Sequence, residues 1–164
     1  MMKYEIKDNF LPQENLNILK KEIFSSYFPW YFQEKINIHH KNNQKDLSYY
    51  MTHNVFLDNT PSGYWNLFTK NLLFFIPHNE VIRVVVNLYP RSEKININEL
   101  HVDYPYEHKS ALFSLNTCDG FTSFENKKID SKENRILFFE GHKKHSSSTC
   151  TNTKARFNIN INYK

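Results

Sequence analysis

Hydrophobic residues follow a helical period near the amino terminus of this chain. After a strand-like stretch at residues 3–6, apolar positions within residues 8–26 recur three and four residues apart, and Pro12 suits the first helical position. These positions would bury one face of a helix: Leu16, Leu19, Ile23 and Phe24. Residues 61–76 predict a second amphipathic helix, which would begin at Ser62.

Beyond Pro77 the pattern changes to short strand-like runs that turn-forming residues separate. Five runs have this character: residues 81–89, 110–118, 120–125, 135–141 and 155–163. Residues 47–57 predict an earlier strand, and the polar residues 33–46 predict a loop. Two helices followed by many strands indicate a mainly β fold, a sandwich or barrel with helices packed on one sheet. Because no repeat or linker interrupts the pattern, we expect one domain over residues 1–164.

Apolar and polar side chains alternate along the last predicted strand. An extended chain would place four apolar side chains on one face and four polar ones on the other: Phe157, Ile159, Ile161 and Tyr163 against Arg156, Asn158, Asn160 and Asn162. If the helices cover the apolar face, the polar face lines the interior of the barrel. A polar interior is costly unless it forms a site, so this strand is the first indication of function.

Composition narrows the class of protein. A chain of 164 residues can bury a core without staples, and Cys118 and Cys150 are too few for a disulfide framework. The net charge of +4 comes from scattered lysines, which do not favour a nucleic-acid partner, although a small anion would be attracted equally well. No apolar run has the length of a signal core or a membrane span. We therefore expect a cytoplasmic protein with reduced thiols and no membrane partner; its oligomeric state stays open.

A histidine and an aspartate one residue apart, His101 and Asp103, begin one of the strand-like regions. In an extended chain their side chains would share a face. His145 follows the predicted strand at residues 135–141, so two imidazoles and one carboxylate could occupy one face of a metal octahedron, as in non-heme Fe(II) oxygenases. The alternative is a set of hydrogen-bonded polar residues at a wet barrel mouth. A similar pair, His78 and Glu80, lies between a helix and a strand and predicts only a loop.

Arg156 strengthens the metal hypothesis. It lies on the polar face of the last strand, after His145, and a buried arginine needs an anionic partner. Its planar guanidinium suits a carboxylate. A dicarboxylate that chelates the metal with one end and binds Arg156 with the other would satisfy both groups.

The order His-x-Asp, distal histidine and then arginine resembles the 2-oxoglutarate/Fe(II)-dependent oxygenases. Three segments carry the resemblance, most specifically within residues 81–164: "DNFLP" at 8–12, "SLNTCDGFTSFEN" at 114–126, and "NRILFFEGHKKHSSSTCTNTKARFNINI" at 134–161. Within that family the chain resembles the small phage-borne and marine bacterial members. The resemblance implies a double-stranded β-helix (a jelly roll, cupin-like) that the amino-terminal helices buttress, with Fe(II) and 2-oxoglutarate as cofactors and O2 as co-substrate.

Carried onto this sequence, the resemblance implies that His101, Asp103 and His145 bind iron and that Arg156 binds the far carboxylate of 2-oxoglutarate. Polar partners of 2-oxoglutarate, or groups that orient an iron ligand, would be Asn87, Tyr89 and Ser147. Since Asp103 is present, the resemblance implies hydroxylation or a related oxidation rather than halogenation.

The substrate is left open: Tyr104, Tyr106 and the loop at residues 33–46 would flank the mouth of the site, and they fit a peptidyl, nucleotide or small-molecule substrate equally. A peptidyl, prolyl-hydroxylase-like substrate is slightly favoured by the general form of the family. The alternatives are a nucleic-acid demethylase, a jelly-roll binding module without chemistry, and a cupin-like metalloenzyme in which Arg156 has a protein carboxylate as partner.

The remaining histidines are given structural interpretations. Four are expected to be solvated loop residues: His39, His40, His108 and His142. His53 is expected to be a hydrogen-bonded residue of a strand rather than a ligand.

Overall fold

The computed structural model describes residues 3–34, 49–125 and 127–164. Its helices are α1 (Gln13–Ile23), α2 (Trp65–Asn71) and a 3-10 turn at Leu73–Phe75. The strands of the described chain are β1 (Tyr4–Lys7), β2 (Tyr31–Gln33), β3 (Tyr50–Leu57), β4 (Thr60–Pro61), β5 (Val81–Pro90), β6 (Lys109–Ser114), β7 (Phe121–Phe124), β8 (Lys127–Asp130), β9 (Arg135–Glu140), β10 (Ser146–Ser147) and β11 (Ala155–Tyr163). The predicted mainly β fold with amino-terminal helices is confirmed.

Within these residues the strands form two antiparallel sheets. The larger has eight strands in the order β1-β9-β6-β11-β5-β3-β2, with β4 paired to β3, and the smaller has the order β10-β7-β8. An irregular segment, residues 96–101, lies alongside residues 145–149 through bridges between Ile97 and Ser148 and between His101 and His145. It therefore runs beside β10 and carries one of the predicted iron ligands to that edge of the smaller sheet.

The helices cover one face of the larger sheet, as the alternation in the last strand predicts. Ile159 and Ile161 of β11 are fully buried in one cluster with Leu16 and Leu19 of α1 and Phe68 of α2. Burying each such side chain stabilises the fold by roughly 1.5–3 kcal/mol, which holds the helices on the sheet. The opposite face is consequently left for the polar residues of the same strands.

That opposite face is buried and polar. Arg156, Asn158 and Asn162 of β11 are each 1% exposed or less. Across the strand pairing, Arg156 neighbours Tyr89, Asn158 neighbours Asn87 and Asn162 neighbours Arg83. A second, smaller apolar cluster joins the two sheets: Phe124, Ile129, Leu137 and Phe139. The polar interior predicted from the alternation is present.

Several boundaries differ from the prediction. Phe24 is 43% exposed because α1 ends at Ile23, and its ring packs on Phe157 at 4.7 Å instead of entering the core. The second predicted helix divides into α2 and the 3-10 turn. The short strands β2, β4, β8 and β10 were not predicted, since two to four residues carry little periodicity.

Of the predicted loop at 33–46, residues 35–46 lie outside the described residues. A search of the described helices finds none long and apolar enough to cross a membrane.

Candidate metal and co-substrate site

His101 and His145 are brought together by their own backbones. The amide of each residue donates a hydrogen bond to the carbonyl of the other, both at 2.9 Å, and their ring centroids lie 4.6 Å apart. The amide of Asp103 then donates to the carbonyl of Gly141 at 3.2 Å, which holds the carboxylate residue beside the same turn. The expectation that His101 and Asp103 project from one regular strand is wrong. Both lie in a loop that precedes β6, and long-range backbone pairing sets their positions.

The three side chains offer ligand atoms that all lie within 4.8 Å of one another. His145 is 5% exposed, the Asp103 side chain is 3% exposed, and Asp103 Oδ1 lies 3.8 Å from His145 Nε2. The Nδ1 atoms of His101 and His145 lie 3.2 and 2.9 Å from the carbonyl oxygens of Glu99 and Lys143. Since a carbonyl only accepts, each Nδ1 carries a proton, which leaves Nε2 as the ring nitrogen available to a metal.

Asp103 is held by four side chains from the polar faces of β5, β6 and β11. Arg83 donates to Oδ1 at 3.0 Å, Ser110 to Oδ2 at 3.1 Å, and Asn162 to Oδ2 at 2.7 Å. Asn160 donates to both oxygens, at 3.2 and 3.4 Å. These donors fix the orientation of the carboxylate without any contribution from a metal.

The electrostatics keep this carboxylate ionised. Burial alone would raise the pKa of Asp103, but His145, Arg83 and the hydrogen bond from Asn162 outweigh it and lower that pKa to about 2. The pKa of His101 is lowered, chiefly by burial and then by the neighbouring His145. A neutral imidazole beside an ionised carboxylate is the protonation state that divalent metal binding requires.

Arg156 lies at the other end of the polar interior and is 1% exposed. Its Nη1 donates to the carbonyls of Phe121 at 2.9 Å and Ser148 at 3.2 Å, and its Nη2 donates to the Thr122 hydroxyl at 2.8 Å. Its Nε is buried without a hydrogen-bond partner, and no ion pair joins Arg156 to a carboxylate in the described part of the chain. Burial lowers the pKa of Arg156, so the charge is held in an environment that penalises it.

One pocket lies between the two histidines and Thr122, and neither Asp103 nor Arg156 lines it. It is lined by residues of both sheets: Asn87, Tyr89, His101, Leu112, Thr122, Phe139, His145, Ser146, Ser147, Asn158 and Asn160. The predicted co-substrate partners Asn87, Tyr89 and Ser147 are therefore gathered with both histidines, and Thr122, which accepts from Arg156, is among them. The side-chain oxygen of Asn160 is buried there without a partner.

The predicted partners already have contacts of their own. Asn87 donates to Asn158 at 3.0 Å, and Ser147 accepts from Asn98 at 2.8 Å. Tyr89 stacks on Tyr50 with ring centroids 5.5 Å apart, and burial raises the pKa of its phenol. The guanidinium of Arg156 lies 5.7 Å from the centre of the Tyr89 ring.

Sequence reasoning missed several groups around Asp103. Arg83 shares the strand face of Asn87 and Tyr89, and Asn160 and Asn162 lie on the polar face of β11, so the alternation signal was available for all three. Ser110 and Thr122 carried no comparable signal.

Two histidines were misjudged. His108, expected in solvent, is 6% exposed, and its ring contacts Asn162 at 3.3 Å because Gly141 lets the turn approach it closely. His142 is half-buried, with its Nδ1 buried and unpartnered, so it is not fully solvated either.

The interpretation of His53 is confirmed. It is 4% exposed, and its ring nitrogens contact the Pro29 carbonyl at 3.0 Å and the Ser62 hydroxyl at 3.3 Å. His78 is exposed in a loop beside Glu80, whose carboxylate pairs with Lys164, as the loop prediction requires. His39 and His40 lie outside the described residues.

Comparison with solved structures identifies the fold, whereas neither a family model nor a curated protein sequence matches the chain. A prolyl hydroxylase from Trichoplax adhaerens, in complex with a hypoxia-inducible-factor peptide, matches with a TM-score of 0.68 at 17% identity over 98% of this chain and 82% of that one. A Pseudomonas putida prolyl-4-hydroxylase matches with a TM-score of 0.64 at 10% identity over 100% and 94%. HygX from Streptomyces hygroscopicus, with nickel and 2-oxoglutarate bound, matches with a TM-score of 0.64 at 9% identity over 99% and 82%. These likenesses confirm the expected double-stranded β-helix fold.

Proposed function

We propose that this chain is a single-domain Fe(II)- and 2-oxoglutarate-dependent dioxygenase over residues 1–164. The observation that carries the proposal is the coexistence, around one polar interior, of a two-histidine, one-carboxylate cluster and a buried arginine without a carboxylate partner among the described residues. The fold shared with the Pseudomonas putida prolyl-4-hydroxylase and with HygX supports it.

The residues fit the proposed metal. Two imidazole nitrogens and one carboxylate oxygen within 4.8 Å form the facial donor set that non-heme Fe(II) sites use, and three protein ligands leave positions for co-substrates. His101, Asp103 and His145 would hold the ion, and the carbonyls of Glu99 and Lys143 would orient the two rings.

The residues also fit 2-oxoglutarate. The uncompensated charge and free Nε of Arg156 would be neutralised by the far carboxylate of the co-substrate. Tyr89, Asn87 and Ser147 would contribute polar contacts along the molecule, and Phe139 would exclude water beside His145.

When bound, Fe(II) would activate O2, which is the oxidant: O2, 2-oxoglutarate and a substrate C–H bond would give succinate, CO2 and the hydroxylated substrate. One oxygen atom enters succinate and the other enters the product, so no further reductant is needed. The role of this chain is to hold, orient and shield the reactants.

The contacts of Arg156 weigh against the cupin-like alternative, which required a protein carboxylate as its partner. Its acceptors are two carbonyls and a hydroxyl.

We propose a peptidyl substrate ahead of a nucleic acid. The fold shared with a prolyl hydroxylase in complex with a peptide supports this order. The stacked rings of Tyr104 and Tyr106, 5.3 Å apart, with Tyr106 45% exposed, offer a surface near Asp103 on which the substrate would pack.

Anaerobic titration of the metal-free protein with Fe(II) and 2-oxoglutarate tests the cofactor chemistry. We expect the weak visible charge-transfer band of an Fe(II)–2-oxoglutarate chelate in the wild type and its loss in His145→Ala. His78→Ala, at an exposed loop histidine, is the matched control and should keep the band. A protein that binds no Fe(II) would favour the binding-module alternative.

Incubation of the loaded protein with a peptide library and with single-stranded oligonucleotides then tests the substrate class. We expect mass spectrometry to find one added oxygen atom on a peptide. Modification of the oligonucleotides alone would make the demethylase alternative correct.

A further inference from the structure

The carboxylate of Asp103 is saturated with hydrogen bonds. Five donor contacts reach it from Arg83, Ser110, Asn160 and Asn162, whereas two carboxylate oxygens offer about four lone-pair positions. A metal ion that takes one of these oxygens must therefore displace a donor or share the oxygen with it.

The donors are not equivalent. Ser110 and Asn162 reach Oδ2, whereas Arg83 reaches Oδ1 at 3.0 Å. Oδ1 is also the oxygen that lies 3.8 Å from His145 Nε2, so it is the one turned toward the histidine ligands. Arg83 alone among the four donors carries a positive charge.

Arg83 is also held in place. Its Nε donates to Asn162 Oδ1 at 2.9 Å, its guanidinium lies 5.5 Å from the centre of the Tyr104 ring, and its side chain is 23% exposed. A guanidinium fixed on both sides stays beside Oδ1 when a cation arrives. The ion pair and the metal then compete for the same oxygen.

We propose that Arg83 is a positioning residue that holds Asp103 as an ion pair in the metal-free protein and thereby weakens divalent-metal binding at this site. The inference rests on the proposed function, since it presumes that His101, Asp103 and His145 bind a metal. Removing a neutral group that orients a metal ligand usually weakens metal binding by roughly 10–100-fold. Here the sign reverses, because the guanidinium repels a divalent ion while Ser110, Asn160 and Asn162 still orient the carboxylate.

Titration of the folded protein with Mn(II), in the absence of 2-oxoglutarate, tests the inference. Electron paramagnetic resonance measures the concentration of free Mn(II). Arg83→Gln removes the charge and keeps a side-chain donor, and we expect its Kd to fall about tenfold. Arg83→Lys keeps the charge without the planar fork, so its Kd should stay within about threefold of the wild type. Arg91→Gln makes the same change at an exposed arginine and should leave the Kd unchanged.

The outcomes separate the two proposals. Wild-type protein that binds no Mn(II) overturns the proposed function and the inference together. If the wild type binds Mn(II) but Arg83→Gln binds it equally or more weakly, the proposed function stands and Arg83 merely orients Asp103. If Arg83→Gln does not fold, Arg83→Lys decides: a tenfold lower Kd in that variant would show that geometry, not charge, opposes the metal.

Discussion

Asp103 and Arg156 are two buried charges at opposite ends of one polar interior, and they differ in the partners that surround them. Asp103 receives an ion pair from Arg83 and amide and hydroxyl donors from β6 and β11. Arg156 receives two carbonyls and one hydroxyl, and its contacts with the described residues include no carboxylate. Asp103 therefore has an oppositely charged partner within the described residues, whereas Arg156 has none there.

This difference separates two uses of a buried charge. A buried ion with an opposite charge beside it is stabilised within the folded protein itself. An unpaired buried ion instead destabilises the protein by roughly several kcal/mol until an opposite charge binds. The Asp103 end is therefore expected to contribute to stability before any ligand binds, and the Arg156 end only afterwards. Substitutions at the Asp103 end should consequently lower the free energy of unfolding, whereas substitutions at the Arg156 end should weaken ligand binding.

The largest expected effect is on the paired end. Asp103→Leu would leave Arg83 without its anion and Asn162 without an acceptor, so we expect the free energy of unfolding of the metal-free protein to fall by about 3–5 kcal/mol. Denaturant titration measures this change. Asp130→Leu, at an exposed aspartate of β8, controls for the loss of a surface carboxylate. A loss below about 1 kcal/mol would mean that the donors around Asp103 find water instead.

Arg156→Met should weaken ligand binding and leave the stability of the metal-free protein nearly unchanged. The metal-free protein should keep its free energy of unfolding within about 1 kcal/mol, because the lost hydrogen bonds are offset by removal of an uncompensated buried charge. The Kd for 2-oxoglutarate, measured by calorimetry on Mn(II)-loaded protein, should rise about 100-fold. Arg91→Met serves as the control. Unchanged 2-oxoglutarate affinity in Arg156→Met would refute the assigned anchor.

Gly120→Ala tests the difference between the two ends without removing a charged group. An added Cβ would lie 2.7 Å from the Thr149 carbonyl oxygen and 2.8 Å from Arg156 Cδ, so backbone or arginine must shift. We expect a loss of about 1–3 kcal/mol in the free energy of unfolding and weaker 2-oxoglutarate binding, with Mn(II) affinity retained. Gly63→Ala, where no atom lies within 4 Å of the new Cβ, should be close to neutral. Equal loss of Mn(II) affinity in Gly120→Ala would show that the two ends are mechanically coupled.

The smallest expected effect concerns His53, on the helix side of the larger sheet. Burial lowers the pKa of His53 in the folded protein below its ordinary value of 6.5, so the unfolded chain binds the proton more readily. His53 should therefore reduce stability as the pH falls below 6.5 toward its lowered folded pKa, with a slope of at most about 1.4 kcal/mol per pH unit. Chemical denaturation at several pH values should give a flatter profile for His53→Gln, while exposed His78→Gln should match the wild type. Identical slopes for the wild type and both variants would contradict the assignment.

The sequence predicted the fold and the polar interior where periodicity was long. The nine residues of β11 alternate without interruption, so both the helix-covered face and the face of Arg156, Asn158 and Asn162 followed from the pattern. The order of His101, Asp103, His145 and Arg156 predicted which side chains would meet, and the structure gathers the first three. Their ligand roles remain a prediction.

What the sequence did not predict depends on contacts distant along the chain. Arg83 and Ser110 meet Asp103 only because β5, β11 and β6 are adjacent in the larger sheet, an order that local patterns do not encode. The burial of His108 depends on the close approach of Gly141, which is likewise visible only in three dimensions.

The reciprocal backbone bonds between His101 and His145 also bear on how the protein folds. They join two segments separated by β6, β7, β8 and β9, so the two imidazoles are distant neighbours until the sheets have assembled. Closing such a contact late, after the slow pairing of non-local strands, means that a nascent or partly folded chain offers a metal only isolated side chains. A metal bound by the proposed ligands would then be loaded after folding and could not template it.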